Sequence, residues 1–211
     1  WLREHRTIIG LFRYNQSGNL SLYRQIPIVY RDKETKVKEA AGLPCPDLIY
    51  PNYQDHDYVK INLDNHSLGV VKKSISKIED TLTRNMIWMT IWDMVIDGKI
   101  KFTEFADLAA DNLGNEKNYK ILNAALDAFH GRGDNSPSVV YYLHKSKNIF
   151  PGRDWHTMLE KFENFYWKNL VKTKGGPDFR KTWLDGFIKI ASTEQALQKL
   201  DDLLNGNITP P

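Results

Sequence analysis

The hydrophobic period of this chain changes once, and that change constrains the fold more than any other feature. Up to residue 64 apolar side chains recur at every second position; from Ser67 they recur at every third or fourth. A period of two belongs to strands half-buried against a core, and a period near 3.6 belongs to amphipathic helices. In "LSLYRQIPIVY" Leu20, Leu22, Ile26, Ile28 and Tyr30 fall on one side, with Arg24 as the single break. Pro27 in that run predicts an edge position or a bulge, because proline cannot donate to a ladder. "RTIIGLFRY" precedes it as a second strand, and "NQSGN" between them predicts a hairpin turn in which Gly18 takes positive φ. "RDKETK" reads as another polar turn, and "DLIYPN" and "YVKINLD" read as two further short strands.

The helical part begins with "SLGVVKKSISKIED", where Leu68, Val71, Ile75 and Ile78 share a face. "TLTRNMIWMTIWDMVIDG" is apolar on nearly all sides, which predicts a helix buried between other elements and stopped by Gly98. Further helices are expected at about 102–113, 116–130, 137–147, 154–172, 178–190 and 193–205. Ser136 and Pro137 supply an N-cap and a first-turn proline, and Ser192 with Gln195 has capping-box spacing. The expected architecture is α+β: a small β-sandwich over residues 1–64, then an α-helical array of antiparallel pairs, a solenoid or bundle, over 65–211.

Charge and cysteine content narrow the function. The net charge is +3, with 29 Lys and Arg against 26 Asp and Glu, spread evenly along the chain. No basic stripe marks a nucleic-acid partner. Cys45 is the single cysteine, so no internal disulfide can form, which fits a reducing, cytoplasmic setting. No apolar run approaches the roughly 18 residues of a membrane span. "WLREHRTIIG" lacks the apolar core of a signal peptide and an initiator Met, so an internal piece of a longer chain is expected.

Catalytic signatures are few. None of the six histidines begins an H-E-x-x-H, and neither a G-x-S-x-G elbow nor a P-loop occurs. Cys45 lies between two prolines with no adjacent base, which does not suit a nucleophilic thiol. His156 and Glu160 are one helical turn apart; they could share a metal ion, and they equally form a solvated helical pair. Arg132-Gly133-Asp134 is an adhesion-type tripeptide that also describes an exposed loop. Within the most apolar helix, Arg84 and Asp93 must be paired or face a cavity. Arg84 either pairs with Asp80 one turn earlier or meets an anionic group such as a peptide carboxylate. "YPNYQDHDYVKINLD" crowds Asp55, His56, Asp57 and Asp64; Asp55, His56 and Asp57 are consecutive, alternate in direction on an extended chain and make a poor first shell for one ion.

"PDLIYPNYQDHDYVKINLDNHSL" followed by "TLTRNMIWMTIWDMVIDGKI" resembles the aminopeptidase N family of zinc metallopeptidases, of the gluzincin type. The positions that carry the resemblance are Pro51, Asn52, Asp55, Tyr58, Lys60, Leu63, Asp64, Arg84, Trp92, Asp93 and Met94. "HRTIIGLFRYNQSGNLSLYRQIPIVY" is similar to the family's small sandwich domain, and "ASTEQALQKLDDLLNG" to a late part of its helical domain. The resemblance implies that "YPNYQDHDYVKINLD" is the junction between two domains. Pro51, Asn52, Tyr58, Lys60, Asp64, Trp92 and Asp93 would then be structural, with Arg84 lining the substrate chamber.

The resemblance also implies a parent in which a zinc-activated water hydrolyses the N-terminal peptide bond, with one Glu as base and another holding the free amine. Those residues and the metal ligands are not in this chain, so it is expected to hold no catalytic residue, metal or cofactor of its own. Its implied partners are the N-terminal catalytic portion of the parent and peptides, with neither nucleic acid nor membrane. The family's helical domain continues past the point where "NGNITPP" ends, so truncation there is expected to leave an apolar face prone to self-association. The alternative from another class is a free-standing helical scaffold that binds protein partners and has no enzyme activity.

Overall fold

The computed structural model describes residues 3–131, 137–149, 155–174 and 176–208. The chain forms two compact units, Trp1–Ile100 and Lys101–Pro211. The sheet and the first two helices therefore share one unit, whereas the change of hydrophobic period falls at residue 64.

In the first unit, β1 (His5–Tyr14) and β2 (Leu20–Tyr30) make an antiparallel hairpin, and β3 (Leu48–Tyr50) pairs antiparallel on the other side of β1. The order β2-β1-β3 leaves β2 on an edge, where Pro27 is tolerated. The hairpin turn is the expected one. Gly18 has φ 75°, and the Asn15 side chain accepts from the Ser17 and Asn19 N–H groups. Phe12 pairs with Leu22 and Leu48, a register shift follows between Leu11 and Phe12, and beyond it Ile9 pairs with Ile26, so Phe12, Leu20 and Leu48 are buried on one face and Leu11 and Ile26 on the other. Gly10 has room for no side chain, because a Cβ there would press on the rings of Phe12 and Tyr53, which pack edge to face.

Three expectations for this unit change. The described residues supply one three-stranded sheet, with no second sheet facing it. "YVKINLD" is irregular rather than a strand. It is tied by side chains to the turn after the second helix: Lys60 donates to Asp97 at 2.6 Å and Lys99 donates to Asn62 at 2.6 Å. The first helix stops early. α1 (Asn65–Ser74) passes into a 3-10 turn at Ile75–Lys77, and Ile78 bridges Leu20 instead of continuing the helix.

α2 (Thr81–Ile96) buries Ile87, Trp88, Ile91, Trp92, Met94 and Val95, and Gly98 at φ 71° follows its end. It is not enclosed on all sides. Leu82, Met89 and Ile96 are 45%, 40% and 42% exposed, and their seven-residue spacing sets them in one stripe.

The second unit holds α3 (Phe102–Asn112), α4 (Tyr119–His130), α5 (Val139–Ile149), α6 (Trp155–Lys172), α7 (Pro177–Ile190) and α8 (Glu194–Leu204). α4 packs on α5, α5 on α6 and α6 on α7, while α3 packs on α5 and α4 also on α7. Phe105, Phe129, Phe162, Phe165, Tyr166 and Trp183 form its aromatic centre, with Phe129 within about 6 Å of four of the other rings. Two caps sit later than expected. Ser138 Oγ accepts from the Tyr141 N–H at the start of α5, and Thr193 rather than Ser192 caps α8. Arg132-Gly133-Asp134 and Ser136 lie outside the described residues.

Candidate functional site

The acidic turn at 52–57 is organised by Asn52, which is 1% exposed. Its Oδ1 accepts from Thr7 Oγ1 at 2.8 Å and from the Asp57 N–H at 3.0 Å. Its Nδ2 donates to the Asp57 carbonyl at 2.8 Å and to Asp55 Oδ1 at 3.3 Å. The amide thus uses both donors and its acceptor, as a buried amide must. Thr7 Oγ1 also reaches the Pro51 carbonyl at 3.1 Å, which fixes the turn to β1. Gln54 and Asp55 both take left-handed φ, 62° and 57°, a strained conformation for non-glycine residues that this anchor holds in place.

Asp57 leaves the turn toward β1 and β2. His5 Nδ1 lies 2.9 Å from its Oδ2, Tyr30 donates to the same oxygen at 2.9 Å, and the His5 and Tyr30 rings stack with centroids 5.1 Å apart. Burial pushes the Asp57 carboxyl up, but the bonds from Tyr30 and His5 and the His5 charge outweigh it and hold the carboxyl below its ordinary range. Burial and the adjacent Asp57 raise the Tyr30 hydroxyl to about 12. A histidine oriented by a carboxylate is half of a nucleophile-activating pair. Through Asp57 the cluster ties the turn to His5 of β1 and Tyr30 of β2. Asp55 and His56 are exposed.

The remaining junction positions are structural in the same sense. Asp64 caps α1 by accepting from the Ser67 N–H at 2.9 Å and Oγ at 2.6 Å, and Ser67 Oγ in turn accepts from the Ile49 N–H of β3. Burial raises the Asp64 carboxyl, and the Ser67 bonds more than reverse it. Lys60 and Asp97 hold each other charged through their hydrogen bond. Tyr58 is fully exposed, Trp92 is buried and Asp93 is half-buried. Tyr50, one residue before Pro51, meets Thr90 of α2 at 3.1 Å; burial, with the charges of Asp55 and Asp93, raises its hydroxyl to about 12.

Arg84 is half-buried, and its Nη1 donates to the Ile78 carbonyl at 2.5 Å just ahead of α2. His156 and Glu160 form an exposed pair at 3.4 Å. Among the described residues no three His, Cys, Asp or Glu side chains come together to hold a metal ion. Sequence reasoning missed Thr7, His5 and Tyr30 as partners of the turn. The contacts span 27 to 52 residues along the chain, and only the hairpin register brings them together.

Residues 48–133 match the family model described as the ERAP1-like C-terminal domain. That span begins at β3 and contains the Asn52 turn, Lys60, Asp64, α1 and α2. The chain is also 24% identical over 213 residues to Aminopeptidase N of Streptomyces lividans, an alignment that takes in 99% of this chain and 23% of that protein. The chain therefore spans about a quarter of the length of the curated relative it matches. Both matches support the resemblance to a C-terminal part of the aminopeptidase N family.

Proposed function

We propose that this chain is the non-catalytic C-terminal portion of a zinc-dependent aminopeptidase that removes N-terminal residues from peptides. In that setting it walls the substrate chamber. The observation that carries the reading is the alignment of 99% of this chain with only 23% of Aminopeptidase N. The catalytic portion of a longer parent and its peptides are then the partners. The described residues do not suit zinc, because no three candidate ligands converge. The metal and the residues that bind it belong elsewhere in the parent, and no chemical step runs through this chain.

What this chain supplies is a rigid support. Asn52, Asp57 and Asp64 pin the turn and α1 to the sheet, and the aromatic centre of α4, α6 and α7 stiffens the helical unit. Arg84 is the candidate for substrate contact. Arg84→Ala in the longer protein raises KM for peptides if the guanidinium meets substrate, and changes stability alone if its only role is to hold the Ile78 carbonyl. Among the described residues no helix is long and apolar enough to cross a membrane. A cytoplasmic place belongs to this reading and is checked by fractionation of source cells.

The test is hydrolysis of an aminoacyl reporter. The 211-residue chain is expected to be inactive, and the longer gene product is expected to be active until its metal is chelated. Zinc-dependent turnover by the pure chain would overturn the reading. A second reading, a scaffold that binds protein partners, is favoured by apolar side chains left open on α8, where Leu197 is 48% and Leu204 is 85% exposed. A gene product with no peptidase portion supports it.

A further inference from the structure

The second unit carries two adjoining clefts, of about 340 and 660 Å³, on one face of α6. Lys161, Asn164, Phe165, Lys168, Asn169 and Lys172 line the larger, and their spacing of three and four makes them a single helix face. The opposite side of α6 buries Leu159, Phe162, Tyr166 and Leu170; of the groove residues, Phe165 is buried beneath it and Lys161, Asn164, Lys168 and Lys172 are exposed. Across from it runs the 3-10 turn Leu113–Asn115. A Cβ at Gly114 would overlap the Asn169 amide, so glycine there is what lets the two walls meet at a shared floor.

The charge is one-sided. The two clefts together hold five lysines (117, 161, 168, 172 and 174) against Asp111 and Glu116. Lys161 is engaged by Asp107. Lys117, Lys168, Lys172 and Lys174 have no carboxylate partner among the described residues. In a chain whose net charge is only +3, this is a concentrated positive surface. Lys161 and Lys172 are eleven positions apart, which sets the cations along about 16 Å of groove. That length is spanned by about five residues of extended polypeptide.

We propose that this groove binds an extended acidic peptide segment, whose carboxylates meet Lys168 and Lys172 and whose backbone meets the Asn115, Asn164 and Asn169 amides. Two features select a peptide over other anions. Asp111 and Glu116 repel a dense polyphosphate but can sit between spaced carboxylates. Nucleic acid would need open aromatic faces, yet Trp183 is 2% exposed and Phe179 packs on Tyr119. The inference rests on the groove alone and stands apart from the peptidase reading.

The test is fluorescence anisotropy of the 211-residue chain with a labelled Asp- and Glu-rich peptide of about eight residues. Saturable binding is expected, weakened several-fold as salt rises from low to physiological strength. The Lys168→Gln/Lys172→Gln double variant, with circular dichroism unchanged, is expected to bind about tenfold more weakly. A charge-matched Lys33→Gln/Lys36→Gln variant, outside the clefts, should bind as the parent does. The proposal is overturned by a neutral peptide that binds as well, by equal losses in both variants, or by inorganic polyphosphate or single-stranded DNA displacing the peptide at lower charge concentration. Binding by a protein that proves to have no peptidase parent leaves this inference standing and removes the other; an active parent whose chain ignores acidic peptides does the reverse.

Discussion

Glu163 on α6 holds the start of α8 through Thr193. The buried carboxylate accepts from the Thr193 hydroxyl and N–H and from the Ser192 N–H at 2.8 Å, while Thr193 Oγ1 accepts from Ala196 N–H as the helix cap. A buried charge is tolerated here because backbone and side-chain donors surround it. The amide of Glu163→Gln keeps the shape but turns an NH2 group toward donors. A loss of about 1–3 kcal/mol is expected, read from urea unfolding. An unchanged midpoint would show that the amide oxygen serves these donors as well as the carboxylate does.

Asn52 plays the matching part in the first unit. Asn52→Ala removes four hydrogen bonds and frees a turn whose backbone is strained at Gln54 and Asp55. A loss of about 2–3 kcal/mol is expected, with faster amide exchange at 53–57. Proteolysis that first cuts elsewhere would contradict it.

Acid should act on the two units in different pH ranges. Asp57 has a folded pKa below its unfolded value, so its contribution is complete above about pH 4 and disappears as pH falls through the folded value. His130 is also depressed, first by burial and then by Lys189 of α7 at 3.3 Å. The bond to the Gly131 carbonyl and the charges of Asp127 and Asp185 act the other way without reversing it. Its contribution is complete above about pH 6.5 and declines below it. Urea midpoints should therefore fall between about pH 7.5 and 5.5, and His130→Gln should flatten that fall; Asp57→Asn should flatten only the more acidic limb.

Gly186 and Tyr166 set how closely α7 approaches α6. A Cβ at Gly186 would overlap the Tyr166 ring, so Gly186→Ala is expected to cost about 1–3 kcal/mol. The Tyr166 hydroxyl is buried without a hydrogen-bond partner among the described residues, and burial drives its pKa well up. Tyr166→Phe should therefore be neutral or stabilising by up to about 1 kcal/mol. Calorimetry of the two variants checks both signs.

Much of the fold was legible because it is local. The Gly18 turn, the edge placement of Pro27, the six later helices and the stop at Gly98 all follow from short-range chemistry. The errors share one cause. "YVKINLD" alternates like a strand, yet Lys60 and Asn62 meet Asp97 and Lys99 across 37 residues, and those side-chain rungs replace a ladder. α2 looks fully buried because its composition hides the Leu82, Met89 and Ile96 stripe. The anchoring of the turn by Asn52 depends on Thr7 at a separation of 45 residues, and that of α8 depends on Glu163 at 30; neither leaves a spacing signal.

The measurement that bears most directly on the central claim is the intact mass of the natural gene product from its source cell, with zinc assayed on the same sample. A protein roughly four times the 24.5 kDa of this chain, carrying about one zinc per molecule, is the predicted result. A zinc-free product of 24.5 kDa would contradict the account and make the chain a scaffold in its own right.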